Sequence, residues 1–113
     1  MAHCLLCTHD LFFRTKLETQ LAAAGHTAAA AGDLEALGAP EGELLVLDLD
    51  HRGLDAFEAV ARWKGSGRPL LAYTNHANVA GMRRAMELGA DKVVARSEIA
   101  AHLAGLVERL TNG

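Results

Sequence analysis

Aromatic side chains are scarce in this chain, at 4% of its residues, which disfavours the ring platforms on which single-stranded nucleic acid stacks. A cationic surplus is missing too. Eleven Lys and Arg stand against fourteen Asp and Glu, a formal charge of −3, which argues against a binder of phosphate backbones. No apolar run approaches the ~20 residues of a membrane span. The start, Met1-Ala2-His3-Cys4, lacks the basic region of a signal peptide. Two cysteines are too few for a disulfide framework, so a reducing cytoplasm is the expected setting. What is present is apolar: 50% of the 113 residues are hydrophobic and 22% charged. That composition buries a real core, and the length fits one domain spanning residues 1–113.

Short apolar runs alternate with helical stretches along the whole chain. Cys4-Leu5-Leu6-Cys7 reads as a first strand. Leu11 to Ala24 follows as a helix with Phe13, Leu17 and Leu21 on one stripe, stopped by Gly25. Thr27 to Ala31 reads as a weak second strand. Asp33 then caps a short helix, Leu34 to Leu37, and Pro40 and Gly42 break the chain. Leu44-Leu45-Val46-Leu47 is continuously apolar, as a strand covered on both faces should be. Asp55 opens a third helix that Gly65-Ser66-Gly67 ends. Leu70 to Tyr73 is a fourth strand, Val79 to Leu88 a fourth helix closed by Gly89, Val93 to Ala95 a fifth strand, and Ile99 to Leu110 a last helix. Five βα units require a parallel sheet, doubly wound.

In such sheets, function sits outside the carboxyl ends of the strands at the topological switch point. The residues delivered there are Thr8, His9 and Asp10, then Asp48 and Asp50, then Thr74 to His76, and finally Arg96 and Ser97.

Leu44 to Asp55, Pro69 to Thr74, and Met86-Glu87-Leu88-Gly89-Ala90-Asp91-Lys92-Val93-Val94 together resemble the receiver domain of two-component response regulators (CheY-like, on a flavodoxin-like fold). The first helix, ending Ala22-Ala23-Ala24-Gly25-His26, has the spacing of that family's first helix. The resemblance covers essentially the whole chain and implies the strand order 2-1-3-4-5. It implies that Asp48 stands at the phosphoacceptor position and Thr74 at the switch hydroxyl. Arg96 stands where the family carries a lysine, Ser97 where it carries a proline, and Val93 where an aromatic ring commonly swings inward. The two acidic positions that hold Mg²⁺ in the family are Thr8 and His9 here.

Those departures set the functional expectation. Phosphoryl transfer to a carboxylate uses a divalent cation to neutralise the transferring oxygens. Mg²⁺ seeks hard oxygen ligands, and Thr8 and His9 leave only Asp48 and nearby Asp10 or Asp50 to supply them. Arginine keeps lysine's charge but not its compact ammonium. The expected protein is therefore a stand-alone pseudo-receiver, not an enzyme, ending at Gly113 without an output domain and needing no cofactor. The alternative is a working receiver, phosphorylated on Asp48 by a histidine kinase and using Mg²⁺. Expected partners are proteins, a kinase or an output protein, with neither nucleic acid nor membrane.

Other patterns carry weaker chemistry. Cys4 and Cys7 form a Cys-x-x-Cys, but in a strand they point to opposite faces and cannot share an ion. A transition-metal site from His9 and Asp48 with His51 or His76 is a further candidate. Phe12 and Trp63 lie off their helices' apolar stripes, as exposed interface anchors would. Arg83, Arg84 and Glu87 mark the fourth helix, which with the fifth strand and fifth helix forms the expected face for partners or a homodimer. A flavodoxin-like ligand at the switch point lacks a phosphate-cradling loop after the first strand.

Overall fold

The computed structural model describes residues 1–38 and 42–112; Pro40, expected to break the chain, lies outside them. Strand β3 (Leu44–Asp48) is buried at every position, because its side chains meet helices on both sheet faces. Around it lie β1 (His3–Cys7), β2 (Thr27–Ala30), β4 (Leu70–Thr74) and β5 (Lys92–Ala95), all parallel, in the order β2-β1-β3-β4-β5. The doubly wound fold and strand order read from the sequence are those observed.

Alternation along the strands builds two cores. Leu5, Cys7, Leu45, Leu47, Leu70 and Ala72 face α2 (Leu34–Gly38), α3 (Ala56–Lys64) and α4 (Val79–Glu87). Cys4, Leu6, Leu44, Val46, Leu71 and Tyr73 face α1 (Leu11–Ala23) and α5 (Arg96–Asn112). Cys4 and Cys7 thus sit in different cores, both as free thiols. Burial, with the Glu43 charge, pushes the Cys4 thiol up to about 11; burial, with Asp48 and Asp33, pushes Cys7 up to about 12. Neither is a ready nucleophile.

Helix starts follow short polar caps. The Asp10 carboxylate accepts from the Phe12 and Phe13 N–H groups, Asp55 from Phe57 and Glu58, and Asn78 from Gly81. Gly25 and Gly89, with φ of 85° and 112°, turn the chain out of α1 and α4 in the left-handed region that glycine adopts without strain.

One expectation needs correction, and one helix boundary moves. Trp63 is not an exposed anchor: it is fully buried in the α3 core, and its Nε1 donates to the Pro69 carbonyl at 2.8 Å. An amphipathic ring reaches past a narrow stripe when its polar edge finds a carbonyl. Helix α5 begins at Arg96, three residues before the expected start at Ile99. Arg84 is exposed on α4, as Arg83 is, with its guanidinium 4.6 Å from the centre of the Phe57 ring of α3. Phe12, by contrast, is 90% exposed, as its place off the stripe predicts.

Helix α5 is broken once, at His102 (φ −132°, ψ 22°). The Gln20 side-chain amide donates to the Ala100 carbonyl at 2.7 Å, so a backbone acceptor beside the kink is satisfied from α1. Removing side-chain volume from the doubly covered strand should be costly. Leu45→Ala is expected to lower stability by about 2–4 kcal/mol in a urea melt. A loss of a few tenths would mean that the central strand is not the packing centre.

Candidate functional site

The carboxyl ends of β1, β3, β4 and β5 open on one rim, because all five strands run the same way. Asp48, last residue of β3, is 3% exposed. Its Oδ1 accepts from the Asp50 backbone N–H at 2.8 Å, closing a tight turn after the strand. Asp50 in turn accepts at Oδ2 from the Thr74 hydroxyl at 2.9 Å and from the Asn75 N–H at 3.3 Å. The Asn78 side-chain amide donates back to Thr74 Oγ1 at 3.1 Å. Asp48, Asp50 and Thr74 therefore form one connected array, with Asp50 standing between the other two.

Arg96 is not part of that array. Its Nη2 donates to Asp10 Oδ2 at 2.9 Å, and its guanidinium lies 4.1 Å above the Phe13 ring. Asp10 thus serves twice: one oxygen caps α1 while the other holds the first residue of α5. The Phe13 N–H, helped by the Phe12 N–H and Arg96, holds the Asp10 carboxyl below its usual range.

His9 and His51 meet edge to face, with ring centroids 5.2 Å apart. His51 Nδ1 accepts from the Gly53 N–H at 2.9 Å, which requires that nitrogen to be unprotonated. Burial first, and then the neighbouring His9, lower the His51 pKa below its ordinary 6.5, against the pull of Asp48. His76 sits apart from this pair, in a cleft of about 460 Å³ that also takes in Asp50, Asn75, Arg96 and Ser97. The transition-metal candidate does not assemble. Among the described residues no group of three or more His, Cys, Asp or Glu side chains could hold a metal ion.

Two hydroxyls at the rim are buried with no hydrogen-bond partner: Thr8 Oγ1 and Tyr73 Oη. Burial and the Asp48 charge push the Tyr73 phenol far above its ordinary range, so it stays protonated. Tyr73 packs against Phe13 at 5.3 Å between centroids. Sequence reading passed over Tyr73 as an ordinary strand residue. The available signal was a phenol one residue before a strand-end threonine, on a strand with no wet face.

Val93 is half-buried and packs against the α3 core, whereas Arg83 and Glu87 are exposed on α4. Arg83 shares that outer face with Val79, 58% exposed, and Met86, 49% exposed, at positions four and three residues away.

No protein-family model matches the chain, and no curated protein matches it by sequence. Solved structures do match. The chain superposes on the receiver domain of NtrX from Brucella abortus with a TM-score of 0.85, 20% identity, and 96% and 98% of the two chains covered. A response regulator from Chloroflexus aurantiacus gives 0.87, 19% identity, and 99% and 98% coverage. The receiver domain of the sensor histidine kinase PA1611 from Pseudomonas aeruginosa, solved with magnesium in its active-site cleft, gives 0.85 and 18% identity over 99% of this chain. Against the longer NtrX chains this sequence spans only 27% of their length. The fold is that of response-regulator receiver domains.

Magnesium does not suit the donors present here. Of the three rim carboxylates, Asp10 is committed to a helix cap and Arg96, and Asp50 to Thr74 and Asn75. Asp48 Oδ2 and Asp50 Oδ1 carry no hydrogen bond, and the two β1-end positions, Thr8 and His9, add a neutral hydroxyl and an imidazole that is a poor match for a hard dication.

Two groups here make stability fall on acidification. Both release protons more readily in the folded than in the unfolded chain, so the unfolded state binds more protons as pH drops. The His51 contribution is complete above its ordinary 6.5 and is lost as pH falls through its lowered folded value. The Asp10 contribution is lost at lower pH, beneath the ordinary carboxyl range. His51→Asn keeps an acceptor for the Gly53 N–H without the titration. It is expected to flatten the pH dependence of the Gly53 amide resonance just below pH 6.5. An unchanged titration in that variant would place the sensing group elsewhere.

Proposed function

We propose that this chain is a receiver-fold signalling module that works by binding protein partners, without taking a phosphoryl group by the magnesium route. One observation carries the reading: Arg96, the cation at the rim, is bound to Asp10 and stacked on Phe13 rather than directed to Asp48. A guanidinium so engaged does not neutralise charge arriving at Asp48. The two neighbouring β1-end positions, Thr8 and His9, supply no carboxylate. Asp48 then acts as a turn-forming carboxylate rather than an acceptor. No catalytic role follows for any rim residue, and no cofactor is called for.

Partner recognition falls to exposed surface. The outer face of α4 offers Val79, Arg83, Met86 and Glu87, a mixed apolar and charged stripe next to β5 and α5. Arg84, also exposed, stands beside it with its guanidinium on the Phe57 ring. Phe12 gives a second apolar point at the start of α1. Among the described residues no helix is long and apolar enough to cross a membrane. The free, buried thiols fit a reducing compartment, and we place the protein in the cytoplasm.

The competing reading, phosphorylation of Asp48 by a histidine kinase, draws on the strand-end placement of Asp48 and Thr74. Incubation with Mg²⁺ and acetyl phosphate separates the two. The expected result is an intact mass and an amide spectrum unchanged by the donor. A saturable phosphoryl mass gain that Asp48→Ala abolishes would overturn the proposal. For the partner face, Met86→Glu should weaken self-association or partner binding by at least tenfold in sedimentation or titration, and Lys16→Glu should not. Equal effects of both would remove α4 from the interface.

A further inference from the structure

We infer that His26 is a proton-operated latch: on taking up a proton, its ring gives up the first residues of β1 as a partner and takes the second half of α5.

The end of α1 places the ring. Gly25 turns the chain out of that helix, and the His26 N–H closes back on the Leu21 carbonyl at 2.9 Å. The imidazole is then buried, its side chain 5% exposed, within reach of the start of β1 and of α5. One ring nitrogen faces each side. Nδ1 accepts from the Ala2 backbone N–H at 2.9 Å. A backbone N–H only donates, so the proton of the neutral ring sits on Nε2. Nε2 is buried with no hydrogen-bond partner, and the Glu108 carboxylate of α5 stands 3.7 Å away, beyond hydrogen-bond range. The neutral ring therefore satisfies β1 and leaves α5 unmet.

A proton reverses that allegiance. It adds at Nδ1, the one ring nitrogen with a lone pair to give, and the acceptor for Ala2 becomes a donor. Two N–H groups then point at each other, and the Ala2 bond is lost. The same proton makes the ring a cation, so that Nε2–H and Glu108 form a charge-assisted pair.

Both sides are built to answer. The Ala2 carbonyl accepts from the Thr27 N–H at 2.9 Å, so Ala2 links His26 to the first rung between β1 and the edge strand β2. Glu108 lies beyond the break in α5 at His102, on a segment hinged there. A groove of about 590 Å³ follows that break between α1 and α5, and its small walls, Ala23, Ala24, Ala101, Ala104 and Gly105, leave room for a shift. Other charged groups on the packed elements are engaged or turned away. His3 Nδ1 bonds the Thr27 hydroxyl at 2.7 Å, Glu43 accepts from the His3 N–H, and Glu18 of α1 pairs with Arg14. Met1 is exposed, and Arg109 lines the groove. Among the described residues Glu108 is the one carboxylate set against a His26 nitrogen.

The latch stands whether or not Asp48 takes a phosphoryl group, and its test reads hydrogen bonds on the whole chain. Nitrogen-15 spectra should show the Nε2–H tautomer of His26 at roughly pH 8. From there to roughly pH 5, protection of the Thr27 amide against hydrogen exchange should fall at least about threefold. The Leu106 and Val107 amides should shift with the same midpoint as the ring. His26→Asn keeps an acceptor for Ala2 without a titrating ring and should abolish both responses. Glu108→Ala should abolish the α5 response and keep that of Thr27, while His102→Asn, at the exposed histidine of the kink, keeps both. Should a variant fail to fold, the tautomer and the shared midpoint of the unaltered protein give the answer. An Nδ1–H tautomer, a smaller fall in Thr27 protection, or α5 amides that titrate apart from the ring would overturn the latch. So would either response persisting in His26→Asn, an α5 response that Glu108→Ala leaves intact, or the loss of either response in His102→Asn.

Discussion

The Asp10 carboxylate is the hinge of this rim. One of its oxygens caps α1 and the other holds Arg96 at the head of α5, so two helices on the same sheet face are joined across the end of β1. The bond is half exposed, and pairs of that kind add little stability on their own. Its consequence is positional. Arg96 is drawn over Phe13, Phe13 over Tyr73, and the Arg96 guanidinium is committed to Asp10 rather than to Asp48. Everything unusual about Asp48 follows from that commitment.

Much of the fold was legible because the sequence speaks in two clean periods. β3 is apolar at every residue before Asp48, and β4 at every residue before Thr74, which only a strand covered on both faces requires. The glycines at 25 and 89 stand where the chain must pass through positive φ. What could not be read is also physical. Trp63 lies outside the obvious stripe of α3, and only the nearby Pro69 carbonyl, after a turn, makes its burial tolerable. Periodicity counts faces but does not see a distant acceptor. The boundary of α5 failed for a related reason. Arg96 belongs to the helix through contacts with α1, eighty-six residues earlier in the chain.

The rim shows the same division. The strand ends predict which residues gather there, and Thr8, Asp48, Asp50, Thr74 and Arg96 all do. Their pairing is another matter. Asp50 takes the Thr74 hydroxyl and the Asn75 N–H, and Asp10 serves two helices. Such choices are made among groups of equal chemistry by a few ångströms of backbone, and local sequence has no term for that.

A buried carboxylate that has lost its usual acidic neighbours should be easy to discard, since an uncompensated charge in the interior is expensive. Its retention needs a reason in this chain rather than in its resemblance to others. The Asp50 N–H bond is one, because it shapes the turn that carries Asp50 to Thr74 and His51 to Gly53. That reason alone favours asparagine, which would accept the same bond without the charge. The second oxygen is not among the buried unpartnered side-chain atoms, so at the rim the charge keeps contact with solvent and costs less than it would in the closed interior.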